Sequence, residues 1–273
     1  MGSFFCKLDN RGVIRLGGKD RFDFFQGLIT QDIFLLRSQP VLYTALLSPQ
    51  GRYLFDFFIL AQGDDFYIIT TRAEDLLKRL KMYKLRRDVS LEIAPMYVYV
   101  GHEMQMEALQ YTFTDPRIQH GLLWGISETL IETAPTEEMA YHAHRIHHGL
   151  PESDVDMLVD KTFPLEAGLH ELNGISFTKG CYVGQELTTR TYHRGTIRKR
   201  LIPVKLHVVV DTSTFSPGPI MQGDEEVGDV RSIVTYNDQS IAMAMLRLEA
   251  LETDDDLMWR DIKITPLSSI FYC

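Results

Sequence analysis

Residues 179–186 read Lys179-Gly180-Cys181-Tyr182-Val183-Gly184-Gln185-Glu186, a single thiol held between two glycines. Glycine reaches backbone angles closed to other residues, so this stretch can turn sharply and bring its backbone close to a ligand. Upstream, Phe163-Pro164-Leu165-Glu166 adds a carboxylate; downstream, Arg190, Arg194, Arg198, Lys199 and Arg200 fall in a run with no acidic residue. Basic surroundings suit a reactive or metal-binding thiolate. An isolated cysteine is more often a small buried hydrophobe, and the residues taken alone leave both readings of Cys181 open.

The octapeptide resembles the K-G-C-[FY]-x-G-Q-E signature of the YgfZ-type, GcvT-like family of folate-binding proteins that assist iron-sulfur cluster assembly. Further matches follow the same order. They are Gly17 to Asp32 (GGKDRFDFFQGLITQD), Leu47-Ser48-Pro49-Gln50-Gly51-Arg52, Asp115-Pro116-Arg117, Gly149-Leu150-Pro151 and Phe163-Pro164-Leu165-Glu166. The resemblance spans most of residues 8 to 205 and implies tetrahydrofolate as cofactor, iron-sulfur client or assembly proteins as partners, and Cys181 as the functional thiol.

Glu166 matches the position expected to hold the pterin. A carboxylate suits it, because the amino-pyrimidine edge offers neighbouring N–H donors that two oxygens accept together. The benzoyl ring and anionic tail of a folate call for aromatic or apolar walls and for arginine, which Tyr182, Tyr192, Arg190 and Arg194 supply. With Lys179, Gln185 and Glu186 beside the thiol, these form the candidate cofactor-binding set. The related aminomethyltransferases of the glycine cleavage system carry paired aspartates on a matching strand; here Phe55-Asp56 retains one. Asp56 is the second candidate catalytic residue.

A chain of 273 residues, 45% of them hydrophobic, can bury a sizeable core. Its net charge of -9 argues against broad attraction to nucleic acid or to anionic membrane, although one local basic face is compatible with it. Cys6, Cys181 and Cys273 lie far apart, with no C-x-x-C pair and an odd total, which argues against a disulfide framework and for a reducing compartment. Because an iron-sulfur cluster usually takes four protein ligands, three scattered cysteines indicate assistance to clusters rather than carriage. No apolar run approaches the roughly 18 residues of a membrane span, and no leader is evident, so the expected location is cytoplasmic.

In order, Phe4 to Leu16 reads as strand and turn, and Asp20 as the cap of a helix bearing Phe22, Phe25, Leu28 and Ile29. Val41–Leu47, Tyr53–Leu60 and Phe66–Thr71 form an antiparallel meander, with Asp56 a costly charge among phenylalanines unless it meets a polar site. Ala73–Tyr83 is an amphipathic helix whose basic end, Lys84, Arg86 and Arg87, needs no ligand to explain it. Strands at Val89–Ala94 and Tyr97–Val100 and a short helix over Glu103–Gln110 follow. Tyr141 to His148 predicts a helix with surface histidines; no H-E-x-x-H pattern supports a metal. Beyond Leu201, short strands at Pro203–Val210, Ile220–Met221, Glu226–Ser232, Ile241–Leu246 and Asp261–Thr265 suggest a small barrel.

The fold class expected is α+β: a duplicated folate-binding region of two halves over 1–200, then a C-terminal β-barrel over 201–273. The function implied is a tetrahydrofolate-binding protein that promotes assembly or repair of iron-sulfur clusters. One alternative is a folate-dependent aminomethyltransferase or demethylase, in which Asp56 polarises the substrate amine; turnover as an enzyme is left open. Another is RNA binding by Arg190 to Arg200 with Tyr192 as a stacking platform. A cysteine hydrolase using Cys181 and His193 ranks last, since nothing orients the histidine.

Overall fold

A computed structural model describes residues 2–103, 106–118, 121–132 and 136–267, which leaves Cys273 outside the described residues. The chain opens with β1 (Phe4–Lys7) and β2 (Gly12–Gly17), then α1 (Arg21–Gln26), β3 (Val41–Leu47), β4 (Tyr53–Gln62), β5 (Asp65–Thr70), α2 (Ala73–Lys84) and β6 (Ser90–Ala94). It continues through β7 (Tyr97–His102), β8 (Tyr111–Thr114), β9 (Leu122–Ser127), α3 (Thr136–His147) and α4 (Gln185–Arg194). The last strands are β10 (Lys199–Leu206), β11 (Gly218–Gln222), β12 (Glu225–Tyr236), β13 (Gln239–Arg247), β14 (Leu257–Trp259) and β15 (Ile262–Pro266).

Two antiparallel sheets make the α+β part. One runs β3-β4-β5-β2-β6, the other β1-β7-β9-β8. The turn at Asn10-Arg11-Gly12 therefore does not close a hairpin: β1 pairs with β7 and β2 with β5 and β6, so the first strands belong to different sheets. Their partners lie some 90 residues on in the chain for β1, beyond the reach of local pattern reading.

A shared core fills the space between the sheets, with Phe4, Val98 and Trp124 from one and Tyr43, Phe58 and Leu60 from the other. A second core lies on the opposite face of the larger sheet. There Phe24, Phe25, Leu76 and Leu80, from α1 and α2, cover Phe57, Ile59 and Ile68. Asp20 sits before α1, but its carboxylate accepts from Asp88 N at 2.7 Å instead of capping the helix. The expected helix over 103–110 falls partly on residues outside the described ones; 106–110 form turns that place Met106 and Leu109 against Tyr99.

The last six strands close into a barrel in the order β10-β13-β12-β11-β14-β15. Asn237 and Asp238, at φ 50° and 57°, make the turn that joins β12 to β13. The first barrel strand ends at Leu206, four residues short of the expectation, and leaves Val208 and Val209 exposed. Arg145 on α3 fastens the barrel to the body. Its Nη1 donates to Asp156 Oδ2 at 2.7 Å, and Ser232 of β12 donates to Asp156 Oδ1 at 2.6 Å.

The α3 histidines are not all at the surface. His144 is 2% exposed, its ring packed between His102 at 4.5 Å and His148 at 4.4 Å, with Phe4 at 5.7 Å. Burial, reinforced by the neighbouring imidazoles, lowers its pKa to about 3. The helix lies over β1, which the local sequence of α3 could not reveal. Among the described residues no cluster of three or more side chains is arranged to hold a metal, and no helix is long and apolar enough to cross a membrane.

Candidate functional site

The thiol loop is built by contacts from three sides. Lys179, buried, donates from Nζ to Ile29 O at 2.7 Å and Gln31 O at 2.9 Å, while Val183 N donates to Gly27 O at 3.3 Å. Ser176 N donates to Thr30 O at 3.0 Å, and Gln31 Nε2 to Asn173 O at 2.7 Å. Residues 27–31 and 173–183 are thus stitched together, which gives a physical reason for two motifs 150 residues apart to accompany one another. The two Nζ bonds make Lys179 a clamp between the segments, and burial pulls its ammonium down to about 8.

Gly184 supplies the turn into α4 at φ +81°, a conformation and a space that exclude a side chain. Gly180 is different: a Cβ there would meet nothing within 4 Å and its φ is not left-handed, so neither space nor backbone demands a glycine. Gln185 Oε1 accepts from Tyr182 N at 3.3 Å, and Tyr182 packs into the core, where burial pushes its phenol up to about 12. Cys181 is left exposed, whereas Cys6 is buried.

A continuous helix over Gln185–Arg194, bracketed by Gly184 and Gly195, determines which candidates meet. One face presents Gln185, Glu186, Thr189, Arg190, His193 and Arg194 to an open cavity of about 680 Å³ that also contains Cys181 and Tyr182. The next face, Leu187, Thr188 and Thr191, borders a separate cavity of about 230 Å³ with Glu166, Leu165, Ile197 and Arg198. Cys181, Gln185, Glu186, Arg190 and Arg194 are therefore brought together; Glu166 is parted from them by the body of α4. The helical spacing 185, 189, 193 and 186, 190, 194 carried this information, but only once the segment is read as a helix.

Glu166 sits in a series of turns, not at a helix N-terminus; burial raises its pKa, and Oε2 accepts a long 3.4 Å bond from Phe163 N. The fit to a folate is partial. A carboxylate between Leu165, Leu187 and Ile197 suits the pterin end, and Arg198 is the cation at that cavity. About 230 Å³ is below the roughly 300–1,000 Å³ of drug-sized ligand sites, so the cavity takes a bicyclic ring and not a whole folate.

Asp56 lies elsewhere. On β4 it shares a face with Phe58 and Leu60, toward the opposite sheet, and is 3% exposed. Tyr43 and Tyr53 each donate a hydroxyl to it at 2.8 Å, and Ser153 donates a third. A costly charge is thus met by a polar site made of tyrosines, and Asp56 is not brought to Cys181 or Glu166. Beside it, Arg11 pairs with Glu152 at 2.7 Å; burial works against the Glu152 charge, but Arg11 and then Arg145 outweigh it and hold its pKa low. Arg117 of the Asp115-Pro116-Arg117 motif is buried, bonded to both Asp115 oxygens, and lies 4.9 Å from the Phe58 ring.

Tyr192 stacks on Phe177 at 3.9 Å and 11°, with His170 against it edge-on, and Arg200 pairs with Glu171 at 2.6 Å. One face of the ring proposed as an RNA platform is therefore already occupied.

Residues 198–269 match the family described as CAF17, C-terminal beta-barrel domain. The chain is 31% identical over 281 residues to the mouse protein named iron-sulfur cluster assembly factor IBA57, mitochondrial, covering 90% of this chain and 78% of the relative. The human protein of that name is 32% identical over 251 residues, covering 78% and 69%. A homologue from Neurospora crassa is 32% identical over 233 residues, and the match covers 53% of its length. Among solved structures, an aminomethyltransferase T of the glycine cleavage system from Bartonella henselae superposes with TM-score 0.70 over 97% of this chain and 85% of that one. At 13% identity that likeness is one of fold.

The cytoplasmic expectation is overturned by these relatives, which are named mitochondrial in mouse, human and N. crassa. An address is written in a targeting segment and not in the folded body, and a thiol-rich reducing interior is common to both compartments, so cysteine usage could not separate them.

Proposed function

Since the chain belongs to the IBA57 family of iron-sulfur cluster assembly factors, we propose that it promotes assembly of iron-sulfur clusters in client enzymes, in mitochondria, through Cys181. The observation that carries this reading is the exposed thiol fixed at the edge of an open cavity beside Arg190, His193 and Arg194. One thiolate is far short of the four ligands a cluster usually takes. The cluster is accordingly cargo held in the main by a partner, and Cys181 contributes one contact while that partner is docked. The likeness of residues 179–186 to YgfZ-type proteins supports the same reading. Visible absorption of the chain mixed with a cluster-loaded partner tests it: a spectrum altered by wild type and unaltered by Cys181→Ala agrees with the proposal, and equal effects of both reject it.

Tetrahydrofolate is the second proposal, carried by the Glu166 carboxylate in its small apolar cavity. Glu166 and Arg198 would hold the pterin end there, where bound folate supplies one-carbon or reducing chemistry. Calorimetric titration with tetrahydrofolate tests it. Glu166→Ala should weaken binding by on the order of 1.5 to 3 kcal/mol, the worth of a charge-assisted pair; unchanged affinity removes Glu166 from the site. Aminomethyl transfer has less support, because Asp56 is enclosed by Tyr43, Tyr53 and Ser153.

A further inference from the structure

The end of α2 gathers six cations and no acid over residues 78–87: Lys78, Arg79, Lys81, Lys84, Arg86 and Arg87. On a chain of net charge -9 that is a strong local reversal of sign. Positive charge at a helix C-terminus is favourable by itself and would explain one or two of these residues. It does not explain what stands among them.

Met82 is 67% exposed and Leu85 is 86% exposed. The buried face of α2 is Ala73, Leu76, Leu77 and Leu80; Lys78, Lys81 and Met82 lie off that face and are exposed. Leu85, just past the last helical residue, has φ 45° and ψ -116°, a conformation that favours glycine, and holds its isobutyl group out in water. The acidic residues near this surface are Glu74 and Asp75 at the other end of the helix and Asp88, which pairs with Lys19 at 3.4 Å. Lys78 pairs with Asp75 at 3.4 Å.

We infer that this surface attaches the protein reversibly to an anionic phospholipid bilayer, with Met82 and Leu85 entering the headgroup layer and the surrounding lysines and arginines meeting lipid phosphates. Charge complementarity selects the partner. Two exposed aliphatic side chains interspersed with six cations are the arrangement of an interfacial membrane contact. Protein-docking faces are depleted in lysine, which supplies three of the six cations here, Lys78, Lys81 and Lys84. The attachment weakens as salt screens it.

Flotation of the full chain with phosphatidylcholine vesicles, with and without a one-third share of phosphatidylglycerol, tests the inference. Binding is expected to the anionic vesicles, to fall with salt, and to drop by about a hundredfold on Arg86→Glu with Arg87→Glu. Met82→Ser with Leu85→Asn should weaken it by roughly tenfold at constant salt. All four positions are exposed, and an unchanged melting temperature confirms that the variants fold. Equal binding to neutral vesicles, or affinity unmoved by either pair of substitutions, overturns the inference. So does a chain that ignores vesicles yet is retained by immobilised polyglutamate through Arg86 and Arg87, which would mark a protein-docking face.

Discussion

Gly51 and Gly184 meet backbone to backbone. A Cβ on Gly51, at φ +75°, would stand 3.0 Å from Gly184 O, and one on Gly184 would stand 3.1 Å from Gly51 Cα and 2.4 Å from Ser48 O. The turn Leu47-Ser48-Pro49-Gln50-Gly51-Arg52 is thus the floor against which the thiol loop turns into α4. Gly184→Ala should destabilise the protein by roughly 2 to 4 kcal/mol, combining backbone strain with overpacking. Gly180→Ala, with open space around it, should stay within about 0.5 kcal/mol of wild type. Urea unfolding of the two variants checks both.

Lys179 holds the same loop by two hydrogen bonds to buried carbonyls. Lys179→Met keeps the stem and removes the donors, at a cost on the order of 1.5 to 3 kcal/mol. The loss is local, so hydrogen exchange should quicken at the amides of Ser176 and Val183, which bond to Thr30 O and Gly27 O. Protection equal to wild type would show the clamp to be dispensable.

Asp56 accepts from three hydroxyls in a closed interior. Asp56→Ala strands Tyr43, Tyr53 and Ser153 together and should cost on the order of 3 kcal/mol. The variant should show this as a lower unfolding midpoint with the Cys181 thiol no less reactive in the folded state. A stable Asp56→Ala protein with lost activity would return Asp56 to the chemistry.

His144 gives the protein an acid-sensitive joint. Its folded pKa of about 3 lies below the ordinary 6.5, so the unfolded chain binds a proton that the folded one refuses. Stability is then full above pH 6.5 and falls as pH drops from 6.5 toward 3. His142, lowered to about 4 by burial and Arg145, acts in the same direction. His144→Phe should lose less stability than wild type between neutral and mildly acidic pH, measured by urea unfolding at each; parallel losses would assign the acid sensitivity elsewhere.

The sequence disclosed what depends on local pattern or on a motif held whole. Five of the six barrel strands, all but Leu257–Trp259, and the apolar face of α2 belong to that class. It hid what depends on partners distant in the chain. The burial of His144 is set by β1, the enclosure of Asp56 by Tyr43 and Ser153, and the clamp role of Lys179 by carbonyls 150 and 148 residues away. Glu166 and Arg190 look adjacent when written in a line. The ten residues of α4 stand between their cavities.

In the proposed function Cys181 acts on clusters while the scaffold around it only holds it in place. Its most direct test replaces the chain in its own cells by Cys181→Ala and measures the activity of cluster-dependent enzymes per unit of their polypeptide. The variant should accumulate and melt like wild type, because the thiol is exposed, and should leave those enzymes inactive. Enzyme activities equal to wild type would contradict it and reduce Cys181 to a surface residue.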